Sequence, residues 1–159
     1  MLGWKRVPKD YLEDISQMIT EMGLKPIRRE NESLQVYCVS KNGSGFYVRF
    51  FMHEGELVFE SPFKKSAHGT SENVAAFNQA LLAYNTKMTK LSFSLAKGRD
   101  GWVILLRGAG EYKIVTPDFL YNIFNYFNFV YTTFIPEIED MAAEWNIKFN
   151  GNSLIDDMF

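Results

Sequence analysis

Leu12, Ile15, Ile19 and Met22 recur at steps of three and four with Met18 beside them, while Asp10, Glu13, Asp14, Gln17 and Glu21 fall on the other face. That spacing gathers the apolar side chains on one face and predicts an amphipathic helix from Pro8 to Met22. Pro8 suits a first helical position, and Gly23 followed by Pro26 is a stop signal. The period then falls to two. Leu34, Val36 and Cys38 alternate with Gln35 and Tyr37, Phe46, Val48, Phe50 and Met52 alternate with Tyr47, Arg49, Phe51 and His53, and Leu57 and Phe59 carry a third run to Pro62. Asn42-Gly43 with Gly45, and Glu54-Gly55, stand between these runs as turn signals. The pattern is an antiparallel three-strand meander.

Helical spacing returns with Ser71 as a capping residue and a stripe of Val74, Phe77, Leu81, Tyr84 and Met88. A hairpin follows: Leu91, Phe93 and Leu95 with Ser92 and Ser94 facing out, a Lys97-Gly98-Arg99-Asp100-Gly101 turn, and a strand from Trp102 to Arg107. Thr116-Pro117-Asp118 opens the last helix with a cap, a proline at the first position and an early acid. Pro136 should kink or break that helix, with a shorter helical piece running on to Trp145. The predicted layout is one α+β domain over residues 1–145, in the order α-βββ-α-ββ-α, with helices on one face of an antiparallel sheet. Asn146 to Phe159 reads as a loosely held tail. No repeat or Pro/Gly/Ser linker divides the chain.

Composition narrows the function classes. Aromatic residues make up 16% of the 159 positions, with 14 phenylalanines, an excess that must sit in a large core or at an interface. The net charge of −2 argues against nucleic acid, which needs a basic footprint. Lys5-Arg6, Arg28-Arg29 and Lys64-Lys65 each have acidic neighbours and read as solvated faces. A single cysteine excludes an internal disulfide and a thiolate metal cluster and suits a reducing compartment. Met1 to Arg6 has no apolar stretch of signal-peptide type, so the expected location is the cytoplasm. Phe119 to Ile135 carries no charge, but Asn122, Asn125, Asn128, Thr132 and Thr133 would need hydrogen-bond partners in lipid, so a soluble helix is expected rather than a membrane span.

Candidate chemistry is sparse. Cys38 falls at an inward strand position among apolar residues, where a thiol is inert. His53 and His68 belong to no metal-ligand spacing. Gly108-Ala109-Gly110 lacks the third glycine of a phosphate-binding loop and reads as a strand-end bulge. The acid pairs Glu54/Glu56 and Asp156/Asp157 fall at a turn and in the tail. No catalytic residue, metal or cofactor is expected. Three surfaces stand out instead. Tyr37, Val39, Tyr47, Phe51 and Val58, mixed with Arg49 and Glu60, share the sheet face opposite the core and form a candidate partner-binding patch. Phe119, Tyr121, Phe124, Tyr126, Phe127, Phe129, Tyr131 and Phe134 surround most of the last helix. Ala76, Ala80 and Ala83 make a small-residue stripe on the second helix, a candidate two-fold contact.

Over Phe77 to Phe127 the chain resembles the YbjN family of bacterial sensory transduction regulators, whose fold is shared with class I type III secretion chaperones. The likeness rests on Ala83-Tyr84-Asn85, on Leu91-Ser92-Phe93-Ser94-Leu95, on the Gly98-Arg99-Asp100-Gly101 turn, on Val103-Ile104-Leu105-Leu106 and on the helix opened by Val115-Thr116-Pro117. The resemblance implies a small acidic dimer without a cofactor that pairs around its second helix. The related secretion chaperones hold an extended stretch of client against apolar patches.

The function read at this level is a non-catalytic, dimeric adaptor or chaperone-like regulator that binds a peptide segment of a protein partner. A regulatory domain holding a small ligand between sheet and last helix is the alternative, which a sizeable cavity lined by the aromatic rings would favour. An enzyme would require a carboxylate or histidine of strongly shifted pKa in a cleft.

Overall fold

The structure, a computed structural model, describes residues 10–150. Helix α1 (Tyr11–Glu21) starts at Asp10, whose carboxylate accepts from the Glu13 backbone N–H at 3.2 Å. Arg28 donates to the same carboxylate at 2.7 Å and holds its pKa below the usual value. The helix therefore opens on a carboxylate cap, with Glu13 and Asp14 at the positive end of its dipole. Pro8, expected at the first helical position, lies outside the described residues. Leu12, Ile15 and Ile19 are buried, as their spacing requires.

The meander has four strands rather than three. β1 (Pro26–Arg29), β2 (Ser33–Val39), β3 (Gly45–His53) and β4 (Glu56–Pro62) pair antiparallel in sequence order. Glu54 and Gly55 both take positive φ, 49° and 81°, the two-residue turn that matches strand twist. After β5 (Ser66–His68) comes α2 (Ser71–Ala83), capped by Thr70 and not by Ser71, because Thr70 Oγ1 accepts from the Asn73 N–H at 3.2 Å. The hairpin of β6 (Ser92–Lys97) and β7 (Trp102–Glu111) follows. β7 lies at the centre of the sheet. It pairs with β6 on one side and with β4 and then β5 on the other.

β7 runs on through Gly108-Ala109-Gly110, which pair with Phe59, Val58 and Leu57. The expected bulge is absent. A Cβ at Gly108 would strike the Phe59 ring and the Lys90 carbonyl, and one at Gly110 would meet the Phe119 ring at 2.9 Å. The glycines leave room for these rings to approach the strand closely.

Helix α3 (Pro117–Phe129) is capped by Thr116, whose Oγ1 accepts from the Phe119 N–H. A single π-helical turn over Val130–Phe134 joins it to α4 (Ile135–Glu144). Pro136 has no N–H to continue the α-ladder, so the interruption falls in the turn before it. Residues 146–150 are not a tail. Ile147 is in the core, and β8 (Lys148–Asn150) pairs antiparallel with β5 while Phe149 sits edge-on to Phe63 and Phe77. Residues 151–159 of the expected tail lie outside the described residues. The α+β antiparallel class holds, and the order gains β1, β5 and β8.

All four helices bury their stripes on one side of the sheet, in a single core with Leu34, Val36, Phe46, Val48, Phe50, Leu57, Phe59, Phe93, Ile104 and Leu106. Phe46 stacks on Tyr131 at 4.3 Å, Phe50 meets Phe124 at 5.5 Å, and Phe59 meets Phe127 at 6.3 Å. Burying each such ring contributes about 1.5–3 kcal/mol before entropy is set against it. Tyr131 brings a hydroxyl into this core, 2.6 Å from the Ser61 hydroxyl, and burial raises its pKa above the usual tyrosine value.

Candidate functional site: the outer face of the sheet

The alternation that sends Val36, Val48 and Phe59 inward sends their neighbours to the opposite face, against which no described helix buries its stripe. Strand register then aligns side chains from distant parts of the chain. Ile27 lies opposite Gln35, Gln35 opposite Arg49, Arg49 opposite Glu60, Glu60 opposite Arg107, and Arg107 opposite Ser92. One polar row thus crosses β1, β2, β3, β4, β7 and β6. A second row beside it runs Arg29, Ser33, Phe51, Val58 and Ala109. On the other flank Tyr37 is paired with Tyr47, their rings 5.1 Å apart.

Glu60 anchors the polar row. Its side chain is only 7% exposed, with Arg49 Nη2 at 2.5 Å and Arg107 Nε at 3.7 Å. A carboxylate so far out of water requires partners of opposite charge, and truncating a partner leaves an uncompensated charge. Both guanidinium groups also lie over the Phe51 ring, at 4.5 Å for Arg49 and 5.8 Å for Arg107. Charge and ring contacts fix the two arginines in position, which reduces the rotamer freedom left to lose on binding. Arg29 donates from Nε to Gln35 Oε1 at 2.6 Å, and Lys64 Nζ lies 5.6 Å above the Tyr37 ring.

The expected patch residues therefore share one face, but unevenly. Tyr37 and Val39 are about half exposed, at 49% and 59%. Tyr47, Arg49 and Phe51 are half-buried, and Val58, expected at the surface, is buried, as are Ser33, Gln35 and Glu60 in the same two rows. Arg107 was placed by the sequence reading only as the end of a strand. Its role in the row depends on the β4–β7 pairing, which no local pattern encodes.

The other candidates disperse. Cys38 faces inward, and burial pushes its thiol up to about 12. His53 is exposed at the β3 end and His68 lies in β5. Among the described residues no three His, Cys, Asp or Glu side chains converge as a metal-ligand group. Ala76 and Ala80 are half-buried on α2 and Ala83 is exposed, while Ala75, Gln79 and Leu82 form the outermost line. On α3, Phe124 and Phe127 turn inward, whereas Tyr121 and Phe129 remain 59% and 49% exposed beside a cleft of about 520 Å³ lined by Lys41, Asn125 and Asn128. That cleft lies outside the sheet–helix interface, at whose edge a smaller cavity of about 200 Å³ opens between Gly45 and Phe63 on the sheet side and Tyr131, Ile135 and Glu139 on the helix side. The exposed pair Glu54/Glu56 falls at the β3–β4 turn, Glu54 within it and Glu56 just after it, and Asp156/Asp157 lies outside the described residues.

No family model and no curated protein matches the sequence. The fold is that of an α+β protein with a curled antiparallel sheet backed by helices. A solved structure of this architecture is YbjN from E. coli, a candidate transcription regulator, which aligns at TM-score 0.54 with 13% identity over 72% of this chain and 80% of that one. The likeness is one of fold, and it bears out the architecture expected from the motifs between Phe77 and Phe127. No helix of the described residues is long and apolar enough to cross a membrane. Phe119 to Ile135 is instead divided between α3, the π turn and the start of α4.

Proposed function

We propose that this chain is a non-catalytic adaptor or chaperone-like regulator that binds a peptide segment of a protein partner on the outer sheet face, and that it works as a homodimer paired along α2. The observation that carries the reading is the outer face itself, where the Arg49–Glu60–Arg107 row lies beside Phe51 and the Tyr37–Tyr47 pair on the side away from the helices. Aromatic anchors beside arginine are the residue types that dominate interface energy. The cavity between sheet and last helix, about 200 Å³, is smaller than the roughly 300–1,000 Å³ of ordinary ligand sites, which favours this reading over a small ligand held there. A reaction would need a group activated in a cleft; Cys38 and Tyr131 are raised by burial in or against the core, and Tyr84 and Tyr112 are raised by burial and by the neighbouring Glu137 and Asp14 carboxylates, which makes each a weaker acid rather than an activated one. The test is Tyr47→Ser combined with Phe51→Ser, followed by affinity capture from the native cell. The expected variant unfolds cooperatively and loses its captured partner. A variant that keeps the partner at parental yield refutes the assignment of this face.

A further inference from the structure

We infer that the partner segment is acidic: an extended peptide whose carboxylates are received by Arg107 and Arg29. This deepens the protein-binding reading above and rests on it. The chain as a whole carries net charge −2, yet the middle of this face inverts that sign. Arg29, Arg49 and Arg107 sit on it with Lys64 at its margin, against the single carboxylate of Glu60. The other acids of the face, Glu56 and Glu111, lie together at its far end, where Glu56 is opposite Glu111 and Glu111 is paired with Lys113 at 3.0 Å. A bound chain would therefore meet positive potential at the centre of the sheet.

Arg107 is the principal receptor. Its side chain is 49% exposed, and its approach to Glu60, Nε at 3.7 Å, is longer than a hydrogen bond. A guanidinium so exposed presents two parallel N–H donors, the geometry that carboxylates fit. Arg29 is exposed and is held by the hydrogen bond its Nε donates to Gln35. It lies on β1 and Arg107 on β7, four strand spacings apart, or about 19 Å at about 4.8 Å each. An extended chain rises about 3.3 Å per residue, so two carboxylates about six residues apart on one face of the peptide would reach both.

The experiment measures fluorescence anisotropy of the full chain with three labelled peptides of about nine residues, alternating serine and leucine. They carry two aspartates about six positions apart, two lysines there, or serine alone. The aspartate peptide should bind about tenfold tighter than the serine peptide at low salt, and the difference should shrink as salt rises. Arg107→Ala should remove most of that preference, while Arg107→Lys should keep part of it, with far-UV circular dichroism confirming the fold of each. Equal binding of the aspartate and serine peptides, tighter binding of the lysine peptide or of a short oligothymidylate, or binding of none of the peptides overturns the inference. Equal binding that is still lost in the Tyr47→Ser, Phe51→Ser variant would leave the protein-binding reading standing while the acidic specificity falls.

Discussion

The hydroxyl pair buried between sheet and helix gives the sharpest test of how the two layers are joined. Tyr131 Oη lies 2.6 Å from Ser61 Oγ and 3.4 Å from the Pro62 carbonyl, in a core where Ser61 is fully buried and Tyr131 is 4% exposed. Tyr131→Phe keeps the ring that stacks on Phe46 but leaves the Ser61 hydroxyl without this partner. Ser61→Ala leaves the tyrosine hydroxyl with the longer contact alone. Stranding one buried polar group costs about 1–3 kcal/mol, whereas removing both partners together restores an apolar contact of nearly the same shape. Each single variant should therefore lose about 1.5 kcal/mol, and the double variant should fall short of their sum by about 1 kcal/mol. In a chain of this length each kcal/mol moves Tm by about 2–4 °C. Urea unfolding followed by tryptophan fluorescence, with the four proteins compared at a common m-value, measures the cycle. Losses that add to within about 0.3 kcal/mol would refute the coupling and make the pair two independent contacts.

Gly108→Ala should destabilise the fold by about 1–3 kcal/mol, because its Cβ meets the Phe59 ring and the Lys90 carbonyl in a packed layer, and thermal unfolding reads this directly. Ala80→Arg should convert a dimer to a folded monomer by light scattering after size exclusion; a monomeric parent, or a variant that stays dimeric, removes the α2 contact from the proposal. Stability should also fall at alkaline pH. Cys38 is pushed up to about 12 by burial and Tyr131 is raised by burial, so between the unfolded and folded pKa values the unfolded chain holds fewer protons than the native one. The contribution is whole below about pH 8.5, the ordinary thiol value, and fades as pH climbs toward the folded value, so a scan of Tm against pH should bend downward there and Cys38→Ser should soften the bend.

What the chain made legible was whatever rests on local period and punctuation. Leu12, Ile15 and Ile19, the alternation through β3, the Glu54-Gly55 turn and the Thr116-Pro117 cap each draw on residues within a few positions and take the expected form, whereas in β2 Ser33 and Gln35 are buried along with Leu34 and Val36. The missed strands are of another kind. β5 and β8 are three residues long and exist because each lies beside the other across α2, β6, β7, α3 and α4. β1 is a short edge strand opened by a proline, and its pairing with β2 is what makes it a strand. The tail reading failed for the same reason, since Phe149 gains its place from Phe63 and Phe77 and not from its neighbours.

The candidate site depends on pairing still more strongly. Arg49 and Glu60 share one face by alternation, and Arg49 is the close partner at 2.5 Å, but the second cation beside the buried carboxylate, Arg107 at 3.7 Å, is delivered by β7 from the far end of a hairpin. Period-two alternation says only which side a residue is on. Register says which residue stands opposite, and a shift of one position would send the whole set to the other face. The ion row therefore ties the site to the fold. A one-residue slip of β7 against β4 would remove Arg107 from Glu60, uncover a buried carboxylate and turn Leu106 from the core toward the outer face. The charges that make this face a candidate receptor for an acidic partner thus also penalise mispairing of the strands that present them.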